Sequence, residues 1–132
     1  TNLAPFFARS GRIVSYYGWG DPQISPGSTV DYYESVLAAN AAARDNYRLF
    51  MVPGMAHCGG GEGTDQFDML TTLEQWVENG EVPESVPAAR VVEGKTVRTR
   101  PLCAWPETAA YDGTGSVDDA ANFACSNPAA RE

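Results

Sequence analysis

Apolar positions along the chain change period several times, and each change marks an element. Gly11-Arg-Ile-Val-Ser-Tyr-Tyr-Gly18 is rich in β-branched and aromatic residues between two glycines, which predicts a strand. From Ser28 to about Ala43, the residues Val30, Tyr33, Val36, Leu37 and the Asn40-Ala41 pair recur at spacings of three and four, which predicts a helix with Ser28 as its N-cap. Arg44 to Asn46 turns the chain. Tyr47-Arg-Leu-Phe-Met-Val52 is a short apolar run and reads as a buried strand. Strand, helix, strand in this order predicts a right-handed βαβ unit with parallel strands. Gly59 to Thr64 is too glycine-rich for regular structure. Asp65 is expected to cap a second helix, in which Phe67, Leu70, Leu73 and Val77, flanked by Met69 and Trp76, recur at helical spacing up to Gly80. That stripe reads as core. After a proline-marked connection, Ala89–Val92 and Thr96–Arg100 flank a turn at Glu93-Gly94-Lys95 and predict a β-hairpin. From Pro101 an irregular tail is expected, with one helical turn at Asp118 to Phe123. Residues 1–10 show no usable period, although Phe6 and Phe7 are expected to pack.

The length of 132 residues, 43% of them hydrophobic, fits one small domain with its own core and excludes a disordered tail. No run approaches the length of a membrane-spanning helix. A net charge of −8 disfavours nucleic acid or an anionic membrane as a partner. A chain that opens at Thr1 without a signal peptide reads as one whose upstream sequence has been removed. Cys103 and Cys125, in the loop-rich tail, suit a disulfide closing a loop of about 22 residues, worth roughly 3 kcal/mol in the loop-entropy account. Cys58 then has no partner within the chain. Three cysteines and one histidine raise the question of zinc. No C-x-x-C occurs, however, and adjacent His57 and Cys58 chelate one ion awkwardly, so no metal is expected.

The only histidine, His57, lies in Met51-Val-Pro-Gly-Met-Ala-His-Cys-Gly-Gly-Gly61, directly after the second strand. A strand ending in a flexible loop with a lone His is how an α/β-hydrolase presents its general base. An ordinary turn with a surface or core His fits the loop equally well. Asp21 sits just past the end of the first strand, where α/β sheets place functional loops. Asp21-Pro22 is also a common turn starter, and that role competes. In a βαβ unit both strands end on one edge, so Asp21 and His57 emerge together, and Asp before His is the chain order of the hydrolase triad. The triad's serine is not evident: no G-x-S-x-G occurs, Ser10 and Ser15 lie before and inside a strand, and Ser28 is assigned to the helix cap.

Gly18-Trp-Gly-Asp21-Pro-Gln-Ile-Ser-Pro-Gly27, then Tyr32-Tyr33-Glu34, then Tyr47 through His57-Cys58 resemble the C-terminal part of the tannase and feruloyl esterase family. Pro101-Leu-Cys103 followed by Trp105-Pro106 resembles that family's ending, so the resemblance runs from about Ser10 to Asn127. It implies an α/β fold: the C-terminal portion of an α/β-hydrolase, parallel strands with flanking helices followed by a hairpin and a disulfide-closed tail. It implies that Asp21 and His57 are the acid and base of a Ser-His-Asp triad. It also implies that Cys58 bonds a cysteine preceding the nucleophilic serine, in an upstream segment not present here. The family's lid domain, inserted between Ser and Asp, binds substrate and often calcium; none of it is in this chain, for which no cofactor is expected. The implied partners are an aromatic ester (feruloyl, galloyl or terephthalate) and the remainder of the chain's own catalytic domain. The implied location is secreted or periplasmic. On this basis the chain is a fragment or one chain of a processed serine carboxylesterase, inactive alone, with an exposed sheet edge that the full enzyme covers. The alternative is a non-catalytic binding or structural module that keeps the scaffold. A Cys-Ser pair inside a glycine-flanked turn immediately upstream would decide for the esterase.

Overall fold

The computed structural model describes residues 1–128. Its centre is a pair of parallel strands, β1 (Ile13–Gly18) and β2 (Tyr47–Val52), joined through helix α2 (Pro26–Ala39) and a 3-10 turn at Ala41–Asp45. The register runs from Ile13 opposite Tyr47 to Gly18 opposite Val52, so both strands end on the same edge. Apart from Arg48, β2 is apolar, because both of its faces are covered. Tyr47, Leu49 and Met51 pack with Val30, Tyr33 and Val36 of α2 and with Phe7 of the short helix α1 (Ala4–Phe7). Phe50 and Val52 point the other way, into a second cluster with Met55, Val86, Ala88, Leu102 and Ala104. The βαβ unit, the α/β class and both strand positions are as the sequence predicts.

α2 begins earlier and ends earlier than its apolar spacing suggests. Ser25, not Ser28, is the residue before the helix, with Pro26 in the first turn, where its missing N–H costs nothing. The Ser28 hydroxyl instead donates to the Ser25 carbonyl at 2.7 Å. Asn40 closes the helix in an extended conformation, so the residues after it belong to the 3-10 turn.

The next helix, α3 (Met69–Asn79), is capped by Asp68 rather than Asp65. The Asp68 carboxylate accepts from Thr71 N at 2.9 Å and from the Thr71 hydroxyl at 2.7 Å. The expected core stripe is also rotated. Trp76 is only 2% exposed, but Leu70 is 68% and Val77 61% exposed. The helix docks through Met69, Leu73 and Trp76, and the Trp76 ring sits 5.6 Å from the guanidinium of both Arg12 and Arg48. Gly80 ends α3 in the left-handed conformation, as its position in the sequence suggests.

The hairpin is longer than its β-branched arms indicate: β3 (Ser85–Val92) pairs with β4 (Lys95–Cys103). Glu93 and Gly94 form the tight turn, both at positive φ (49° and 76°), as a two-residue hairpin loop demands. Lys95 is already paired with Val92 and belongs to the strand. The tail is more regular than expected. β5 (Thr108–Tyr111) and β6 (Phe123–Ser126) form an antiparallel ladder, with a 3-10 turn at Ala120–Asn122 leading into β6. The Cys103–Cys125 disulfide is present, with Cα atoms 5.6 Å apart, and fixes that ladder to the end of β4.

The two edges of the central pair differ. The outer edge of β2 is closed by an antiparallel bridge between Phe50 and Ala104, and Trp105 N donates to the Leu49 carbonyl at 2.8 Å. Among the described residues, no strand lies beside the outer edge of β1. No helix of the described residues is long and apolar enough to cross a membrane.

Candidate active site

β1 delivers Asp21. One rung beyond the strand, Trp19 N still donates to the Val52 carbonyl at 3.0 Å, and the chain then turns away from the sheet. The Asp21 side chain is 0% exposed. Its Oδ1 accepts from Gln23 N at 2.8 Å and Ile24 N at 3.3 Å, which makes Asp21 a turn-former. Its Oδ2 accepts from the Tyr17 hydroxyl at 2.5 Å and lies 2.6 Å from His57 Nδ1. The turn contacts and the contact with His57 therefore coexist, one set on each carboxylate oxygen. Burial pushes the Asp21 carboxyl upward. It is outweighed by the hydrogen bonds from Tyr17, Gln23, His57 and Ile24, which hold the group well below the usual carboxylate range.

β2 delivers His57 through a loop that is irregular but closely tied. Met55 is fully buried and anchors it in the second core cluster. Gly20 N donates to the Met55 carbonyl at 2.9 Å, joining the His57 loop to the Asp21 turn. Ala56 N donates to Gly60 O at 3.2 Å, and Glu62 N and Gly63 N both reach Gly54 O, at 3.0 and 3.1 Å. Asp65 is used here rather than at the helix: its carboxylate accepts from Gly60 N at 2.7 Å. The glycines serve close approach more than mobility. A Cβ on Gly18 would lie 2.3 Å from both the Met55 and the Ala56 carbonyl oxygens, so only glycine lets the loop rest on the end of β1. Arg90 and Arg98 of the hairpin hold the returning limb, donating to the Glu62 carbonyl at 2.9 and 3.2 Å.

With Asp21 ionised, Nδ1 of His57 is the donor of the pair and Nε2 carries the lone pair. The His57 side chain is 42% exposed, so Nε2 is the nitrogen open to a reacting group. This arrangement can take a proton from an approaching hydroxyl and hold the resulting imidazolium against a buried carboxylate. Cys58 is exposed and unbonded within the described residues. Among them no group of three or more His, Cys, Asp or Glu side chains is placed to hold a metal ion. A cavity of about 400 Å³ lined by Trp19, Met51, Leu102 and Trp105 lies behind the loop and contains neither Asp21 nor His57.

Sequence reasoning missed Tyr17. Its hydroxyl contact was available only from geometry, although its place in β1, four residues before Asp21, puts it next to the turn.

A parallel strand pair with Asp and His on the loops at its C-terminal edge, in that chain order, has the arrangement of the C-terminal portion of an α/β-hydrolase fold. A family model described as "Tannase and feruloyl esterase" matches residues 1–126, and the chain belongs to that family. It is 48% identical over 131 residues to a mono(2-hydroxyethyl) terephthalate hydrolase of Piscinibacter sakaiensis, an alignment covering 97% of this chain and 22% of that protein. It is 33% identical over 143 residues to feruloyl esterase B of Aspergillus niger, covering 94% of this chain and 27% of the relative. The crystal structure of feruloyl esterase B from Aspergillus oryzae superposes with a TM-score of 0.84 at 29% identity, covering 95% of this chain and 28% of that one. The chain thus spans between a fifth and a third of the length of these relatives.

Proposed function

We propose that these residues supply the acid and base of a serine carboxylesterase that hydrolyses aromatic carboxylic esters through an acyl-enzyme. The observation that carries this is the 2.6 Å contact between His57 Nδ1 and the fully shielded Asp21 carboxylate at the C-terminal edge of the sheet. A scaffold kept only for binding has no need of a buried charge aimed at an exposed imidazole. In the reaction, His57 Nε2 takes the proton of a serine hydroxyl as its oxygen attacks the ester carbonyl. The imidazolium then protonates the departing alkoxide, and the acyl-serine is hydrolysed by a water that His57 deprotonates in turn. Asp21 holds the ring in the required tautomer throughout. The serine is contributed by protein outside these residues, since no nucleophile elbow occurs in the sequence. Cys58, beside His57, pairs with a cysteine of that same outside segment. The rest of the catalytic domain pairs with the open edge of β1. Aromatic esters are the substrate class because the relatives are named for hydrolysing terephthalate and feruloyl esters. An oxidising location, secreted or periplasmic, agrees with the Cys103–Cys125 disulfide.

The test is hydrolysis of methyl ferulate by the 132-residue chain and by a longer protein in which a nucleophile segment precedes it. Only the longer protein should turn over. Turnover by the chain alone that His57→Ala abolishes would place the nucleophile among these residues and overturn the division of labour.

A further inference from the structure

We propose that Tyr17 is a positioning residue of the Asp21–His57 pair, fixing the carboxylate oxygen that orients His57 and drawing charge from it. This rests on Asp21 and His57 being the acid and base. Tyr17 is the penultimate residue of β1, half-buried against the α2-side core, and so has little freedom to move. Its hydroxyl donates to Asp21 Oδ2 at 2.5 Å, the same oxygen that contacts His57 Nδ1 at 2.6 Å. Its ring stands edge-on to the imidazole, with centroids 6.5 Å apart and planes at 86°. Asp21 Oδ1 is already held by two backbone N–H groups. With Tyr17 on Oδ2, both oxygens are pinned and the carboxylate cannot rotate away from the histidine.

The second consequence is electrostatic. A donor on Oδ2 shares the charge that would otherwise stabilise protonated His57. Tyr17 therefore tempers the pair: it keeps Asp21 ionised and aligned while limiting how strongly the imidazolium is held, which a base that must also release its proton requires. The titratable groups around the hydroxyl are Asp21, Cys58 and the imidazole itself. The hydrogen bond to Asp21 is the main reason the phenol is pushed up to about 12, so Tyr17 remains a donor through the whole working range.

Because His57 is the only histidine, its ring resonances report the pair directly. The experiment is a pH titration of those resonances in the wild-type chain, in Tyr17→Phe and in Asp21→Asn. Tyr17→Phe should move the His57 midpoint to higher pH, with roughly a threefold larger imidazolium-to-imidazole ratio at fixed pH, the scale of part of one charge-assisted hydrogen bond. Asp21→Asn should move it to lower pH. An unmoved midpoint would mean that Tyr17 merely packs, and a lowered one that it aligns the carboxylate without drawing charge from it; either result overturns the proposal. If Asp21→Asn leaves His57 unmoved, the acid–base pair itself is wrong, which is a separable failure. A second readout does not depend on the Phe variant folding. The hydroxyl-bearing ring carbon of Tyr17 should titrate at about 12 in the wild type and at lower pH in Asp21→Asn. An ordinary tyrosine titration in the wild type would refute the hydrogen bond.

Discussion

Gly18→Ala is the most informative single change at the site, because it adds one methyl group between the two segments that hold Asp21 and His57. The new Cβ would sit 2.3 Å from the carbonyl oxygens of Met55 and Ala56, about 1 Å inside ordinary contact, and both obstacles are backbone. Neither can swing aside like a side chain. The Met55 carbonyl also receives Gly20 N at 2.9 Å, so pushing the loop outward stretches the link between the His57 loop and the Asp21 turn. A displacement on the order of 1 Å at a catalytic group reduces turnover roughly 100-fold. Overpacking of this kind destabilises by about 1–3 kcal/mol. The control is Gly27→Ala, in the first turn of α2, where the added Cβ meets only the Ser25 hydroxyl at 3.6 Å. That change should leave activity intact and stability equal or up to about 1 kcal/mol higher, from helix propensity. Both variants are assayed in an intact esterase carrying this chain, by kcat on methyl ferulate and by melting temperature. If Gly18→Ala matches Gly27→Ala in both, the packing of the His57 loop on β1 does not control the site.

Removing the Cys103–Cys125 disulfide by Cys→Ala at both positions should cost about 3 kcal/mol, read from denaturant unfolding. The loss should appear first as faster amide exchange in β5 and β6, which the bond fastens to β4. The pH dependence follows from Asp21. Its folded-state carboxyl is held below the ordinary value, so its contribution to stability is fully present above the ordinary aspartate pKa of about 3.9 and is lost as pH falls through the lower folded value. Wild type should therefore lose more melting temperature than Asp21→Asn between pH 5 and pH 2; equal losses would mean that Asp21 is not held by its partners.

The parallel pair, and with it the meeting of Asp21 and His57 at one sheet edge, was legible in the sequence because several independent signals agree. Tyr47–Val52 is apolar but for Arg48, the run before Asp21 is bounded by glycines, and strand–helix–strand order places both loops on one edge. The helix caps were less legible because several residues of the right type stand near each start. Asp65 and Asp68 are equally good caps by type, and only the demand of Gly60 N for an acceptor separates them. The buried face of α3 was misplaced because Leu70 and Val77 are as apolar as Met69 and Leu73. What selects the face is Trp76 beside Arg12, which precedes β1, and Arg48 of β2, a contact between segments far apart in sequence. β5 and β6 are four residues each and carry no alternation; their pairing is imposed by the disulfide and by β4 beside them. Tyr17 escaped notice because an aromatic residue in a strand reads as core, and nothing in its spacing shows where its hydroxyl goes.

The central claim is that His57, oriented by Asp21, is the general base of an ester hydrolase. The most direct test is steady-state hydrolysis of methyl ferulate by an intact esterase carrying this chain, with His57→Ala and Asp21→Asn compared with wild type. The account predicts that each variant stays folded with KM little changed, while kcat falls by about 10²–10⁴-fold, the range a positioned base supplies. A His57→Ala protein that keeps kcat within about threefold of wild type, far below what removing such a base costs, would contradict it.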